Sequence, residues 1–271
     1  MTAFGTDGFT LGDGGSGNDI NGIAGATYAA WGWSAGNSAG SDNTTGSIDS
    51  VVSVNQTAGF SIVKFVGNAT SGATVGHGLG AVPQVVIVKP MNAAENFIMQ
   101  HASLGPTKGV YLNLTATPYT GTYQWNDTAP TSSVFSLGNH VLNNGDGNTM
   151  ISYCFSEKAG FSKFSIYEGN GNASGSFVYT GFKPAWIMCK SADSTSDWFI
   201  YDSKRLGYNV DNNSTFANTT GGELTADNID ILSNGFKLRI ASDPNVAETF
   251  IFLAFAENPS GGDGAAPATA R

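Results

Sequence analysis

Gly59-Phe-Ser-Ile-Val-Lys-Phe-Val-Gly-Asn68 and Gly160-Phe-Ser-Lys-Phe-Ser-Ile-Tyr-Glu-Gly-Asn170 are two versions of one pattern. Val82-Pro-Gln-Val-Val-Ile-Val-Lys89 matches Lys183-Pro-Ala-Trp-Ile-Met-Cys-Lys190 in the same way. A short polar turn then leads into Phe97-Ile-Met-Gln-His-Ala-Ser103 and Trp198-Phe-Ile-Tyr-Asp-Ser203. Later come Val134-Phe-Ser-Leu-Gly138 and Gly235-Phe-Lys-Leu-Arg239, then Met150-Ile-Ser-Tyr-Cys-Phe-Ser-Glu157 and Phe250-Ile-Phe-Leu-Ala-Phe-Ala-Glu257. Gly59, Pro83 and Phe135 each recur 101 residues later, as Gly160, Pro184 and Phe236. Blocks that keep their order at a near-constant offset are the signature of a duplicated structural unit.

Each block reads as a strand. The runs are short, rich in Val, Ile, Phe, Tyr and Trp, and bounded by Gly, Asn, Ser and Thr. Val85-Val-Ile-Val88 is too short and too β-branched for a helix. Pro83 and Pro184 suit a strand start, where the missing N–H matters least. A single helical turn is conceivable only at Ala93-Ala-Glu-Asn96. The expected fold is all-β: tandem antiparallel β-sandwich domains of jelly-roll type, as short strands between such turns imply. Gly8-Phe-Thr-Leu-Gly12 and Thr27-Tyr-Ala-Ala-Trp-Gly-Trp-Ser34 resemble the closing blocks of a further, incomplete copy. The expected organisation is a partial repeat with a linker strand over 1–58, full repeats over 59–159 and 160–259, and an extended tail over 260–271. Half a copy does not bury its own strands, so it needs the next repeat or a neighbouring chain.

Composition narrows the function. The 271 residues carry 12% charged residues, 36 Gly and a net charge of −9. The 17 Phe, 9 Tyr and 5 Trp supply a core that disordered chains lack. The glycines lack the period of three that collagen requires. Twelve Lys and Arg in no cluster argue against nucleic-acid partners. No basic, then apolar start suggests a signal peptide, and no apolar run is long enough for membrane insertion. Cys154 and Cys189 sit in apolar strand-like runs and read as buried free thiols.

With the blocks in register, the chain resembles a repeat family of marine bacteriophage tail-fibre and virion structural proteins. The residues that carry the likeness are Gly181-Phe-Lys-Pro-Ala-Trp-Ile-Met-Cys-Lys190, Trp198-Phe-Ile-Tyr-Asp-Ser-Lys-Arg205, Leu232-Ser-Asn-Gly-Phe-Lys-Leu238 and Leu253-Ala-Phe-Ala-Glu-Asn-Pro259. In the middle copy they are Gly78-Leu-Gly-Ala-Val-Pro83, His101-Ala-Ser-Leu-Gly105 and Trp125 through Gly138. The resemblance implies a non-enzymatic component of the virion surface, a tail fibre or receptor-binding module. Its partners would be other virion proteins and a host-surface glycan or protein receptor, and its assembly a homotrimer. A capsid decoration or head-fibre protein is the alternative, and a capsule-degrading tailspike a weaker one. Family members carry more sequence ahead of the block at Phe9, so the chain reads as the distal part of a longer fibre.

The remaining motifs favour structure over chemistry. Gly14-Gly-Ser-Gly-Asn-Asp19 fits one calcium nonapeptide, but those bind by tandem stacking, so the Asp13–Asp19 loop reads as a turn. Gly36-Asn-Ser-Ala-Gly40 has the nucleophile-elbow spacing without the helix that must follow it. Gly76-His-Gly-Leu-Gly80 is glycine-rich but leads into a strand, not a helix N-terminus. His77, His101 and His140 lack metal-ligand spacing. No catalytic residue, cofactor or metal is expected. The one loop composed for a ligand is Tyr119-Thr-Gly-Thr-Tyr-Gln-Trp125. Its Tyr119, Tyr123 and Trp125 offer ring faces on which sugar C–H groups stack, with packing on the sandwich rim as the plainer reading.

Overall fold

The computed structural model describes residues 1–5, 8–12, 20, 23, 25–36, 39–205, 209, 212–226 and 228–257. The Asp13–Asp19 loop, Asn37 and Ser38 of the glycine–serine motif, and the 260–271 tail lie outside the described residues. The chain falls into two units, Met1–Trp33 and Ser34–Arg271. The first contains the antiparallel pair β1 (Ala3–Phe4) and β2 (Phe9–Thr10).

The second unit is nearly all strand. It runs β3 (Ser41–Asn43), β4 (Ser50–Asn55), β5 (Phe60–Val66), β6 (Ala73–Gly76), β7 (Val85–Pro90), β8 (Ile98–His101), β9 (Lys108–Tyr111) and β10 (Tyr119–Thr120). Helix α1 (Thr122–Trp125), β11 (Val134–Leu137), helix α2 (Val141–Asn144) and β12 (Thr149–Phe155) follow. Then come β13 (Ser162–Glu168), β14 (Phe177–Tyr179), β15 (Trp186–Ser191), β16 (Phe199–Asp202), β17 (Thr215–Phe216), β18 (Ile229–Leu232), β19 (Gly235–Leu238) and β20 (Thr249–Phe255). Among the described residues no helix is long and apolar enough to cross a membrane.

One eight-stranded sheet has the order β10-β9-β8-β7-β12-β5-β4-β3, and a five-stranded sheet has β13-β20-β15-β16-β17. The order β5-β12-β7-β8 thus recurs as β13-β20-β15-β16, antiparallel throughout. The smaller sheets are β11-β6 and β14-β19-β18. The central strands are buried on both faces, which is why β7 and β15 read as unbroken apolar runs rather than alternating ones. Lys64 and Ile166 both stand opposite an isoleucine of the central strand, Ile151 and Ile251. They are 102 residues apart, one more than Gly59 and Gly160, because the second block holds one extra residue.

The same layering serves two chemically different cores. The first is mostly aliphatic, with Val52, Val63, Val75, Val86, Val88, Leu137 and Met150 around Phe65, Phe135 and Trp125. The second is aromatic: Phe236 meets Tyr167 edge-on at 5.8 Å and Phe252 at 5.5 Å, while Tyr167 stacks on Phe250 at 5.1 Å. The halves are joined by named bonds. Trp198 Nε1 donates to the Tyr111 carbonyl at 2.8 Å, and the Ser196 N–H donates to the Thr115 carbonyl at 3.1 Å. Buried Lys190 donates to the carbonyls of Thr115, at 2.8 Å, and Ser196.

Three expectations are corrected. Residues 27–34 form no strand. Their counterparts β12 and β20 are each held on both sides, by β5 and β7 or by β13 and β15, whereas among the described residues ahead of Thr27 the strands are β1 and β2, paired with each other. Ala93–Asn96 forms no helical turn; besides a 3-10 turn at Ala102–Leu104, the short α-helices lie at Thr122–Trp125 and Val141–Asn144. The second of these is capped by the His140 side chain, which accepts from the Leu142 N–H at 3.2 Å. The third correction concerns Trp125.

Candidate functional site

Trp125 is a core residue. It is fully buried within the first-half cluster and offers no face to a ligand, so the expected ligand contact is lost there. The cause is helix geometry: on α1, residues two apart point to opposite sides. Tyr123 therefore faces out, 41% exposed, while Trp125 faces in.

Tyr119 and Tyr123 do come together, with parallel rings whose centroids are 6.3 Å apart. Two further rings extend the pair into a row. Tyr111, at the end of β9, lies 5.0 Å from Tyr119, and His140 lies 5.0 Å from Tyr123. Register builds one end of the row, since Tyr119 on β10 pairs with Gly109 on β9. A Cβ at Gly109 would collide with the Tyr119 hydroxyl, so that ring lies flat only because residue 109 is glycine. The other end is built by backbone bonds: the His140 N–H donates to the Tyr123 carbonyl at 3.0 Å, and Gly138 N–H to Gln124 at 2.6 Å.

The row has polar edges. His140 Nδ1 is occupied in capping α2, which leaves Nε2 to carry the proton of the neutral ring. Burial lowers the pKa of His140, and the carboxylate of Glu95 opposes that shift. Burial raises the pKa of Tyr111, with Tyr123 and Glu95 adding to it. Burial raises that of Tyr119 furthest, and its hydroxyl is itself buried, with no hydrogen-bond partner among the described residues. The result is a set of ring faces flanked by hydroxyls, an imidazole and a carboxylate. This arrangement suits a ligand with C–H faces and hydroxyl edges.

Tyr111 and His140 are the members that sequence reading missed. One sits in a strand read for its burial and the other appeared as an isolated histidine; strand register and a helix cap join them. The remaining histidines are structural. His77 accepts from the Leu79 N–H at Nδ1 and meets the Thr131 carbonyl at Nε2, and His101 is buried between the halves. Cys154 and Cys189 are buried free thiols, each pushed up to about 12 by burial. Among the described residues, no group of three or more His, Cys, Asp or Glu side chains is placed to hold a metal ion.

Residues 1–259 match the family model described as Domain of unknown function (DUF7483), and the chain belongs to that family. No curated protein matches the chain, and no solved structure does.

Proposed function

We propose that this DUF7483 member is a non-enzymatic binding and structural protein of a bacteriophage virion surface, a tail fibre or receptor-binding module. In this reading the chain is a tandem of jelly-roll-like sandwich repeats over 59–159 and 160–259. The recurrent strand order supports the duplication, and the motifs from Gly181 to Pro259 support the virion setting by resemblance. The observation that carries the binding role is the row Tyr111–Tyr119–Tyr123–His140. It is held by short backbone bonds on a rigid sheet, which preorganises it for a saccharide of the host surface.

The test is binding of the full chain to an array of bacterial surface polysaccharides, followed by titration with whichever is retained. Tyr123→Ala should weaken binding about tenfold, the stacking contribution of one exposed ring. It should leave the melting temperature unchanged, because Tyr123 is outside the core. Retained affinity in that variant would remove the row from the reading.

A further inference from the structure

Four strands end the two large sheets. Three are stubs: β10 and β17 have two residues each and β3 has three. The fourth, β13, has seven. Short edges are the usual protection against strand pairing, so a long one stands out. In the first half the same edge is covered. β4 pairs with β5 along its length, and Ile48 bridges to Val75 of β6, closing the side of the sandwich. In the second half only residues 156–161 separate β12 from β13, too few to supply such a cover.

The outward groups of β13 are specific. Residues 161, 163, 165, 167 and 169 bond to β20 and the residues flanking it, so 162, 164, 166 and 168 direct their backbone outward. Phe164 N–H is taken by the Glu157 carboxylate at 2.8 Å, and the Glu168 carbonyl by the Ser176 hydroxyl at 2.5 Å. Between those two stops lie the Phe164 carbonyl, the Ile166 N–H and carbonyl, and the Glu168 N–H. None of these four has a partner among the described residues. The Ile166 side chain at their centre is 42% exposed. Beside it, exposed Phe177 and Tyr179 line a depression of about 300 Å³.

We propose that β13 pairs with β13 of a second copy of this chain, antiparallel about a two-fold axis at Ile166. The four open groups are their own complement under that operation. Each Ile166 N–H donates to the other copy's Ile166 carbonyl, and each Glu168 N–H to the other copy's Phe164 carbonyl. The bound stops at Phe164 N–H and the Glu168 carbonyl end the pairing on each side. The two Ile166 side chains then lie side by side on one face and cover each other. Such an interface is isologous, using one patch twice. It is independent of the ligand row, which lies in the other half.

Sedimentation equilibrium of the full chain over a range of concentrations tests this. The expected result is a monomer–dimer equilibrium reaching twice the 28.0 kDa chain mass. Ile166→Asp places two carboxylates at the axis, and Ile166→Pro removes the donor there. Both should run at monomer mass while still melting cooperatively, since an outward edge N–H is dispensable to the sheet. Ile166→Val should keep the dimer. Oxidation of Ile166→Cys should yield a covalent dimer, and Lys64→Cys, at the covered edge of the first half, should not. A wild-type monomer at all concentrations would overturn the proposal. So would a trimer, or a dimer unaffected by Ile166→Asp.

Discussion

β5 and β13 hold the same place in the two halves and end differently. β5 is an interior strand because the chain ahead of it returns as β4. β13 has the counterpart central neighbour and, among the described residues, no outer one. The first half also carries the β9–β10 pair and both short helices, which assemble the aromatic row. The second half has an aromatic core and an ion cluster in which Arg205 meets Asp202 at 2.6 Å and Glu223 at 2.7 Å. What recurs is the four-strand order; what varies is the treatment of its margins. A recurrent strand order thus acquires distinct contacts without altering its centre.

The strongest way to break this comparison is a charge on the covering strand β4 and another on the open edge β13. Val52 in β4 is 7% exposed, and Val52→Asp should cost about 3 kcal/mol of unfolding free energy, the penalty of an unpaired buried carboxylate. Ile166→Asp, at the open edge, should cost the dilute protein less than about 1 kcal/mol. Urea unfolding of both variants decides it, and equal losses would mean that the two edges are equivalent.

A pH series sharpens the contrast at a second pair of counterparts. His101 stands opposite Val85, and Asp202 stands opposite Trp186, at matching places. Burial lowers the His101 pKa to about 4 from 6.5. Below pH 6.5 the unfolded chain gains a proton that the native state refuses. Stability is therefore complete above that pH and should fall by about 3 kcal/mol on the way to pH 4. Asp202 behaves differently. Burial would raise its pKa, but hydrogen bonds from Arg205 and the Lys204 N–H outweigh that and lower it. Its contribution is present above 3.8 and disappears only below. Unfolding midpoints measured from pH 8 to 3 should show His101→Gln flattening the upper step alone.

The smallest expected difference concerns two lysines. Lys89 caps its own turn, at 3.3 Å to the carbonyls of Pro90 and Ala93, while Lys190 reaches across to Thr115. Lys190→Met leaves the Ser196 carbonyl without its donor and the Thr115 carbonyl with only the Ser196 N–H, and should cost about 1–3 kcal/mol. Lys89→Met, half-buried at its own turn, should cost about 0.5 kcal/mol. Thermal melts of the two variants compare them directly.

These contrasts also mark how much the sequence disclosed. The strands that meet the central strand were readable, because burial on both faces produces runs such as Val85-Val-Ile-Val88 that only a strand of that length accommodates. Closing residues such as Phe155 and Phe255 were readable because the blocks repeat. The margins were not. α2 depends on a histidine cap and α1 on contacts with β11 and α2, and residues 27–34 form no strand although their sequence matches that of β12 and β20. Of the candidate site, Tyr119 and Tyr123 were visible as composition. The inward turn of Trp125 was not, since one turn of helix is too short to leave a period in the sequence.

The sheet order also sets a timetable for synthesis. In each half the strand made last, β12 or β20, is the one inserted between its two earlier partners. Until residue 155 has left the ribosome, β5 and β7 have nothing between them, and β13 and β15 wait in the same way for residue 255. Pairings of such long sequence separation form slowly and leave apolar edges waiting. A growing chain would gain from having β4 already in place on β5, a chaperoning cover that β13 emerges without.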